Sequence, residues 1–109
     1  MDNSELLNGS HSSQMDLFLL TEPPKSDRAR ICMRLIARSE NAILYLAGDG
    51  VYNLLGDAIK SLPRERIFAC KEDLEARGVQ PEVIPTMPID FYERLLEDIM
   101  LDGNRIYTF

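Results

Sequence analysis

Between Asp16 and Phe109, short apolar runs alternate with stretches of helical periodicity, and this alternation restricts the chain to few folds. An apolar run without a polar face is a strand buried on both sides. Strands of that kind belong to a mostly parallel sheet with helices covering both faces, an α/β architecture. The predicted strands are Asp16 to Leu20, Ala42 to Leu46, Arg66 to Cys70 and the terminal Arg105 to Phe109, with a brief one at Val83-Ile84 inside the loop Gln80 to Pro88. The predicted helices run from Ser26 or Asp27 to about Ser39, from Val51 to Ser61, from Glu72 to Arg77, and from Asp90 or a neighbour to about Leu101.

Turn and cap chemistry sets the boundaries. Thr21-Glu22-Pro23-Pro24 cannot continue a ladder. Ser26 or Asp27 caps the first helix, and Asp27 also suits the positive end of its dipole. Asp49 in the turn Ala47-Gly48-Asp49-Gly50 is expected to cap the second helix, whose inner side would carry Val51, Leu54, Leu55, Ala58 and Leu62 before Pro63 stops it. Gly78 ends the short third helix. With 109 residues, the chain supports one core. Residues 15–109 are predicted to form that single domain. Met1 to Gln14, rich in Ser, Asn and Gly, offers little to bury and is expected to be a flexible tail. The only histidine, His11, lies in it and receives no catalytic role.

Charge and cysteine content exclude several function classes. A net charge of −6 opposes phosphate backbones, so direct nucleic-acid binding is not expected. The longest uncharged stretch of the body, Asn41 to Gly48, is too short to span a bilayer, and the N-terminus lacks a basic-then-apolar leader. The expectation is a cytoplasmic protein without membrane contact. Two cysteines make neither a disulfide framework nor a CxxC or Cys/His metal cluster, so they are expected to be free thiols, with no metal and no cofactor. Without paired carboxylates or a Ser-His-Asp set, a conventional hydrolase or metalloenzyme is not expected.

The thiols are what remain. Cys32 lies in the first helix among Arg28, Arg30, Arg34 and Arg38, and nearby positive charge favours the reactive thiolate. Helical geometry trims that argument: Arg30, Arg34 and Arg38 form a stripe directed away from Cys32, and only Arg28 shares its face. The same geometry places Cys32 near the middle of the apolar arc of Ala29, Ile31, Met33, Leu35 and Ile36, where a buried structural thiol is the competing reading. Cys70 ends a strand just before a helix, at the sheet edge where sites form, but Glu72, Asp73 and Glu75 would raise its pKa, and a structural role is the main reading there too. The Gly48-Asp49-Gly50 turn could cradle phosphate at a helix start, although Asp49 puts negative charge where the phosphate would sit. Glu93, Glu97 and Asp98, like the arginine stripe, are expected to be solvated faces.

Three segments in order, Ile43-Leu44-Tyr45-Leu46-Ala47-Gly48-Asp49-Gly50-Val51-Tyr52, then Ile67 to Gly78, then Ile89-Asp90-Phe91-Tyr92, resemble the DsrH/TusB family of DsrE/DsrF/DsrH-like sulfur-relay proteins. The likeness extends over Met15 to Phe109, with Tyr107 where the family closes on tryptophan. It implies a three-layer α/β/α fold with a five-stranded parallel sheet in the order 4-3-2-1-5. It also implies a hetero-oligomer with DsrE/TusD-like and DsrF/TusC-like subunits, or a homo-oligomer if alone. Such complexes hand sulfur as a cysteine persulfide to a downstream acceptor protein, toward thiolation of tRNA wobble uridine or toward sulfur oxidation. DsrH-type members can carry a cysteine in the first helix, and Cys32 matches that place.

Three hypotheses follow. In the first, Cys32 transiently holds sulfane sulfur as a sulfurtransferase-type carrier, with Arg28 stabilising the thiolate. In the second, the chain is a non-catalytic assembly subunit supporting a DsrE/TusD-like partner's cysteine. The third is a flavodoxin-like nucleotide binder using the Gly48-Asp49-Gly50 turn.

Overall fold

The computed structural model describes residues 14–82 and 84–109. The expected tail, including His11, therefore lies outside the described residues except for Gln14. The elements are β1 (Asp16–Leu20), α1 (Asp27–Arg38), β2 (Ala42–Leu46), β3 (Ile67–Ala69), α2 (Lys71–Arg77), α3 (Phe91–Met100) and β4 (Arg105–Thr108), with three 3-10 segments between β2 and β3. They form an α/β fold around one parallel sheet of four strands in the order β3-β2-β1-β4.

The expected fifth strand is the main departure. Val83 lies outside the described residues, and beside β3 the sheet gains only one bridge, between Phe68 and Thr86. Thr86 donates its N–H to Ile67 O at 2.9 Å and accepts from Ala69 N–H at 3.0 Å. The next rung would need a donor at residue 88. Pro88 has none, so the ladder stops after a single residue.

Alternating residues of the strands feed two apolar clusters. Phe18, Leu20, Leu44, Leu46, Ile67 and Ala69 pack with Ala29, Cys32 and Ile36 of α1 and Leu74 of α2. Leu17, Tyr45, Ala47, Phe68 and Cys70 pack on the opposite side of the same strands with Phe91 and Leu95 of α3. Residues of α1 thus share one of the two clusters and residues of α3 the other. Ser26 caps α1, its hydroxyl accepting from Ala29 N–H at 3.1 Å, and Gly78 closes α2 in the left-handed conformation at φ 64°.

The helix expected from Val51 to Ser61 is instead two 3-10 segments, Gly48–Leu55 and Ala58–Ser61, separated by an extended Gly56. The buried Asn53 explains part of the break. Its side-chain amide donates to Gly50 O at 2.9 Å, a carbonyl that a helical backbone would use, and to Glu22 O at 3.0 Å, which ties the segment to the loop after β1. The inner face shifts accordingly. Val51, Leu54 and Ile59 are buried, while Leu55 and Ala58 turn outward. Asp49 does not cap this segment; its carboxylate accepts from Arg77 Nε at 3.0 Å.

Candidate functional site

The carboxyl ends of β2 and β3 bring together the turn after β2 and the start of α2. Gly48 N–H donates to the Asp73 carboxylate at 2.7 Å, and Arg77 reaches Asp49 at 3.0 Å and Asp73 at 3.5 Å. These contacts answer the phosphate question. The turn's donor at Gly48 is already held by an acidic side chain, and Asp49 and Asp73 share Arg77, so the loop is closed on itself by its own side chains. Asp73→Ala is expected to lower stability by about 1 kcal/mol in urea titration by leaving the Gly48 N–H unmatched, whereas Asp73→Asn, which keeps an acceptor, should recover most of the loss.

Cys70 lies beside this clamp, at the junction of β3 and α2. It is 5% exposed and lines an open cavity of about 500 Å³ walled by Met87, Ile89, Asp90 and Tyr92 from the segment entering α3. Burial raises its pKa above the ordinary thiol value, and the Asp73 carboxylate adds to the rise, while the backbone N–H groups of Asp73 and Glu72 act in the opposite direction. Of the three acidic residues expected to raise it, only the Asp73 carboxylate does so, and burial is the larger cause.

Cys32 occupies a different environment. Its side chain is 0% exposed, within the cluster between α1 and the sheet, and burial pushes its thiol up to about 12. Arg28 is exposed, and desolvation alone accounts for the shift. Helical spacing suggested a thiolate beside Arg28; the structure places the Cys32 thiol among apolar core side chains.

On the other face of the sheet, Tyr45 is buried, and its hydroxyl donates to the Asp98 carboxylate. Arg94 approaches the same carboxylate at 3.6 Å and places its guanidinium 4.8 Å from the centre of the Phe68 ring. Tyr45 stacks on Phe68 at 5.0 Å and meets Phe91 edge-on at 5.6 Å. Asp98 is thus part of the seat of α3, not of its solvated face as expected. The clue was present in Tyr45: a tyrosine inside a doubly buried strand needs a partner for its hydroxyl.

Among the described residues, no group of three His, Cys, Asp or Glu side chains converges as a metal site, and no helix is long and apolar enough to cross a membrane. The fold and these positions define a class: a small parallel α/β domain with two free thiols, one sealed in the core and one beside a cavity at the carboxyl edge of the sheet. The family model for DsrH-like proteins matches residues 21–101, and the chain belongs to that family. The match takes in Cys32, the Gly48-Asp49-Gly50 turn and the segment Glu72 to Gly78. Comparison with curated proteins and with solved structures gives no match.

Proposed function

We propose that the chain is a structural subunit of a cytoplasmic sulfur-relay complex, supporting a partner's persulfide cysteine and carrying no sulfur on Cys32. Membership in the DsrH-like family supports the sulfur-relay setting. The burial of Cys32 is the observation that supports a structural role. In a relay step, a thiolate attacks the outer sulfur of a donor persulfide, the sulfur–sulfur bond breaks, the donor leaves as its thiol, and a new persulfide forms. Cys32 offers neither the ionised form nor a path for the donor. The companions in this reading are DsrE/TusD-like and DsrF/TusC-like subunits, and the downstream chemistry is thiolation of tRNA wobble uridine or related sulfur trafficking.

The test is reconstitution with those two subunits and a persulfide donor. Sulfur transfer should require this chain yet persist in Cys32→Ala and Cys32→Ser, two variants that fill the core differently. Transfer lost in both while the complex still assembles, or cyanide-releasable sulfur on Cys32, would return the carrier role to that residue. Such a role requires α1 to lift from the sheet during turnover. The cavity beside Cys70 favours one further reading, in which any sulfur the chain does carry sits there. Mass analysis of trypsin fragments after donor treatment separates the two thiols.

A further inference from the structure

Between the loop after β1, the first turns of α1 and the 3-10 segments after β2 lies an open cavity of about 400 Å³, and neither thiol lines it. No residue of the Gly48-Asp49-Gly50 turn lines it either. Its walls are mostly apolar, from Pro24, Ala29, Met33 and Ala58. Asn53 forms its inner end, with a side chain only 6% exposed. Both amide hydrogens of Asn53 are taken, by Gly50 O and Glu22 O, which leaves Oδ1. Among the described residues, no donor reaches that oxygen. A buried acceptor without a partner is uncommon in a folded protein, and beside a cavity it marks where a ligand's N–H or O–H would be received.

The mouth of the cavity is cationic. Lys25, Arg30 and Arg34 line it and are exposed. Arg30 is matched by Asp27 at 3.0 Å, and the one acid of the lining, Asp57, is held by Lys60 at 3.2 Å. Among the described residues, Lys25 and Arg34 have no ion-pair partner. Two unmatched positive charges therefore border one apolar surface, in a chain whose net charge is −6. Lys25 also stands apart in its backbone. Its φ of 72° is the only positive value among the described residues other than glycine. That left-handed conformation is unfavourable for lysine and easy for glycine, and strain of this kind persists where the side chain has a use.

We propose that this cavity binds a nucleoside monophosphate, its phosphate held by Lys25 and Arg34 at the mouth and a base N–H donating to Asn53 Oδ1 at the inner end. Each part of the ligand answers a feature of the cavity. A phosphate dianion matches two free cations, one of them a guanidinium suited to its oxygens. A base offers apolar faces to Met33, Ala29 and Pro24, and it carries its N–H donors at the end remote from the phosphate. A volume of about 400 Å³ lies toward the small end of ligand sites, which suits a monophosphate better than a dinucleotide. Long nucleic acid stays disfavoured, because two cations do not offset the repulsion between many phosphates and an acidic chain. The inference uses neither thiol and no companion subunit, so its failure and the failure of the sulfur-relay reading are separate results.

The experiment is calorimetric titration of the full chain with AMP, GMP, CMP and UMP, and with adenosine, guanosine, cytidine, uridine and inorganic phosphate as controls. At least one nucleotide should bind saturably, and its nucleoside and inorganic phosphate should each bind roughly 10-fold more weakly or worse. The side-chain amide resonances of Asn53 should shift as the nucleotide is added. Arg34→Gln and Lys25→Gly should each weaken binding by about 10-fold. Lys25→Gly should do so with a urea midpoint at or above that of the parent, because glycine relieves the strain at φ 72°. A merely structural lysine would not separate binding from stability in this way. The absence of saturable binding by all four nucleotides at millimolar concentration, as when the cavity holds only water, overturns the proposal. So does inorganic phosphate binding as tightly as the nucleotides, which would leave an adventitious anion patch only, or binding that survives both variants unchanged.

Discussion

Replacing Gly50 with alanine should lower the unfolding free energy by about 3 kcal/mol or more, a large share of the margin a domain of this size possesses. A Cβ at this position would sit well inside contact distance of Leu20 O, 2.7 Å from the Leu20 carbonyl carbon and 3.2 Å from Thr21 Cα. All three are backbone atoms at the end of β1, the strand with a neighbour on each side, so they cannot swing away as a side-chain tip would. The 3-10 segment cannot retreat easily either. Gly50 N–H is bonded to Ala47 O at 2.9 Å, its carbonyl accepts from Asn53, and Val51 and Leu54 on either side of Asn53 are core residues. Gly56→Ala is the matched control. Its added carbon would meet only Asn53 O at 3.7 Å, an ordinary contact, and the change should stay within about 0.5 kcal/mol. Urea titration followed by circular dichroism measures both. Equal stability of Gly50→Ala and the parent would mean that β1 and the turn after β2 are not in the close apposition described.

Gly50 also shows where the sequence stops being informative. Its place after a strand marks a turn, and a turn was expected there; what it touches is a backbone thirty residues earlier in the chain, which no local pattern encodes. The helix expected after it failed for the same reason. Val51, Leu54, Ala58 and Leu62 have helical spacing, but Asn53 finds a partner in Glu22 O across the fold, and that tertiary bond outweighs a weak local preference. Where information is local, the expectation and the structure agree. The strands β1 and β2, the Ser26 cap and the left-handed Gly78 all follow from residues within a few positions of one another.

The candidate site divides in the same way. That Cys32 falls on the apolar arc of α1 was legible from spacing; that Arg28 would stay exposed was not, because the width of the buried stripe depends on how closely the sheet approaches. The cavity beside Cys70 is built from Met87 to Tyr92, a segment with no periodicity of its own, so its approach to the end of β3 could not be anticipated. Pro88 has two consequences there. It ends the single-residue bridge on β3 and frees the following residues to wall the cavity.

Raising the pH should destabilise this protein through its buried acids, beginning with Cys32. Its pKa is near 9.0 when exposed and about 12 in the folded chain. Below pH 9 both states keep the proton, and the group favours neither. Between about 9 and 12 the unfolded chain loses the proton and the folded chain retains it, so stability falls with pH by about 1.4 kcal/mol per unit and by about 4 kcal/mol over the interval. Tyr45 acts with the same sign from pH 10 upward, its hydroxyl held protonated by burial first and then by the bond to the Asp98 carboxylate. Urea titrations of the parent and of Cys32→Ala at several pH values isolate the thiol. The alanine chain should be the less stable near neutrality, by roughly 1 kcal/mol for the vacated volume, and the gap should close and then reverse as pH climbs past 9. A gap that stays constant with pH would place Cys32 in contact with solvent. The same proton bears on function, because with a pKa of about 12 only on the order of one Cys32 in 10⁵ is a thiolate at pH 7. A residue that resists alkali in this way is a poor acceptor of sulfur while α1 stays on the sheet, and the pH dependence of the gap measures how firmly it is held there.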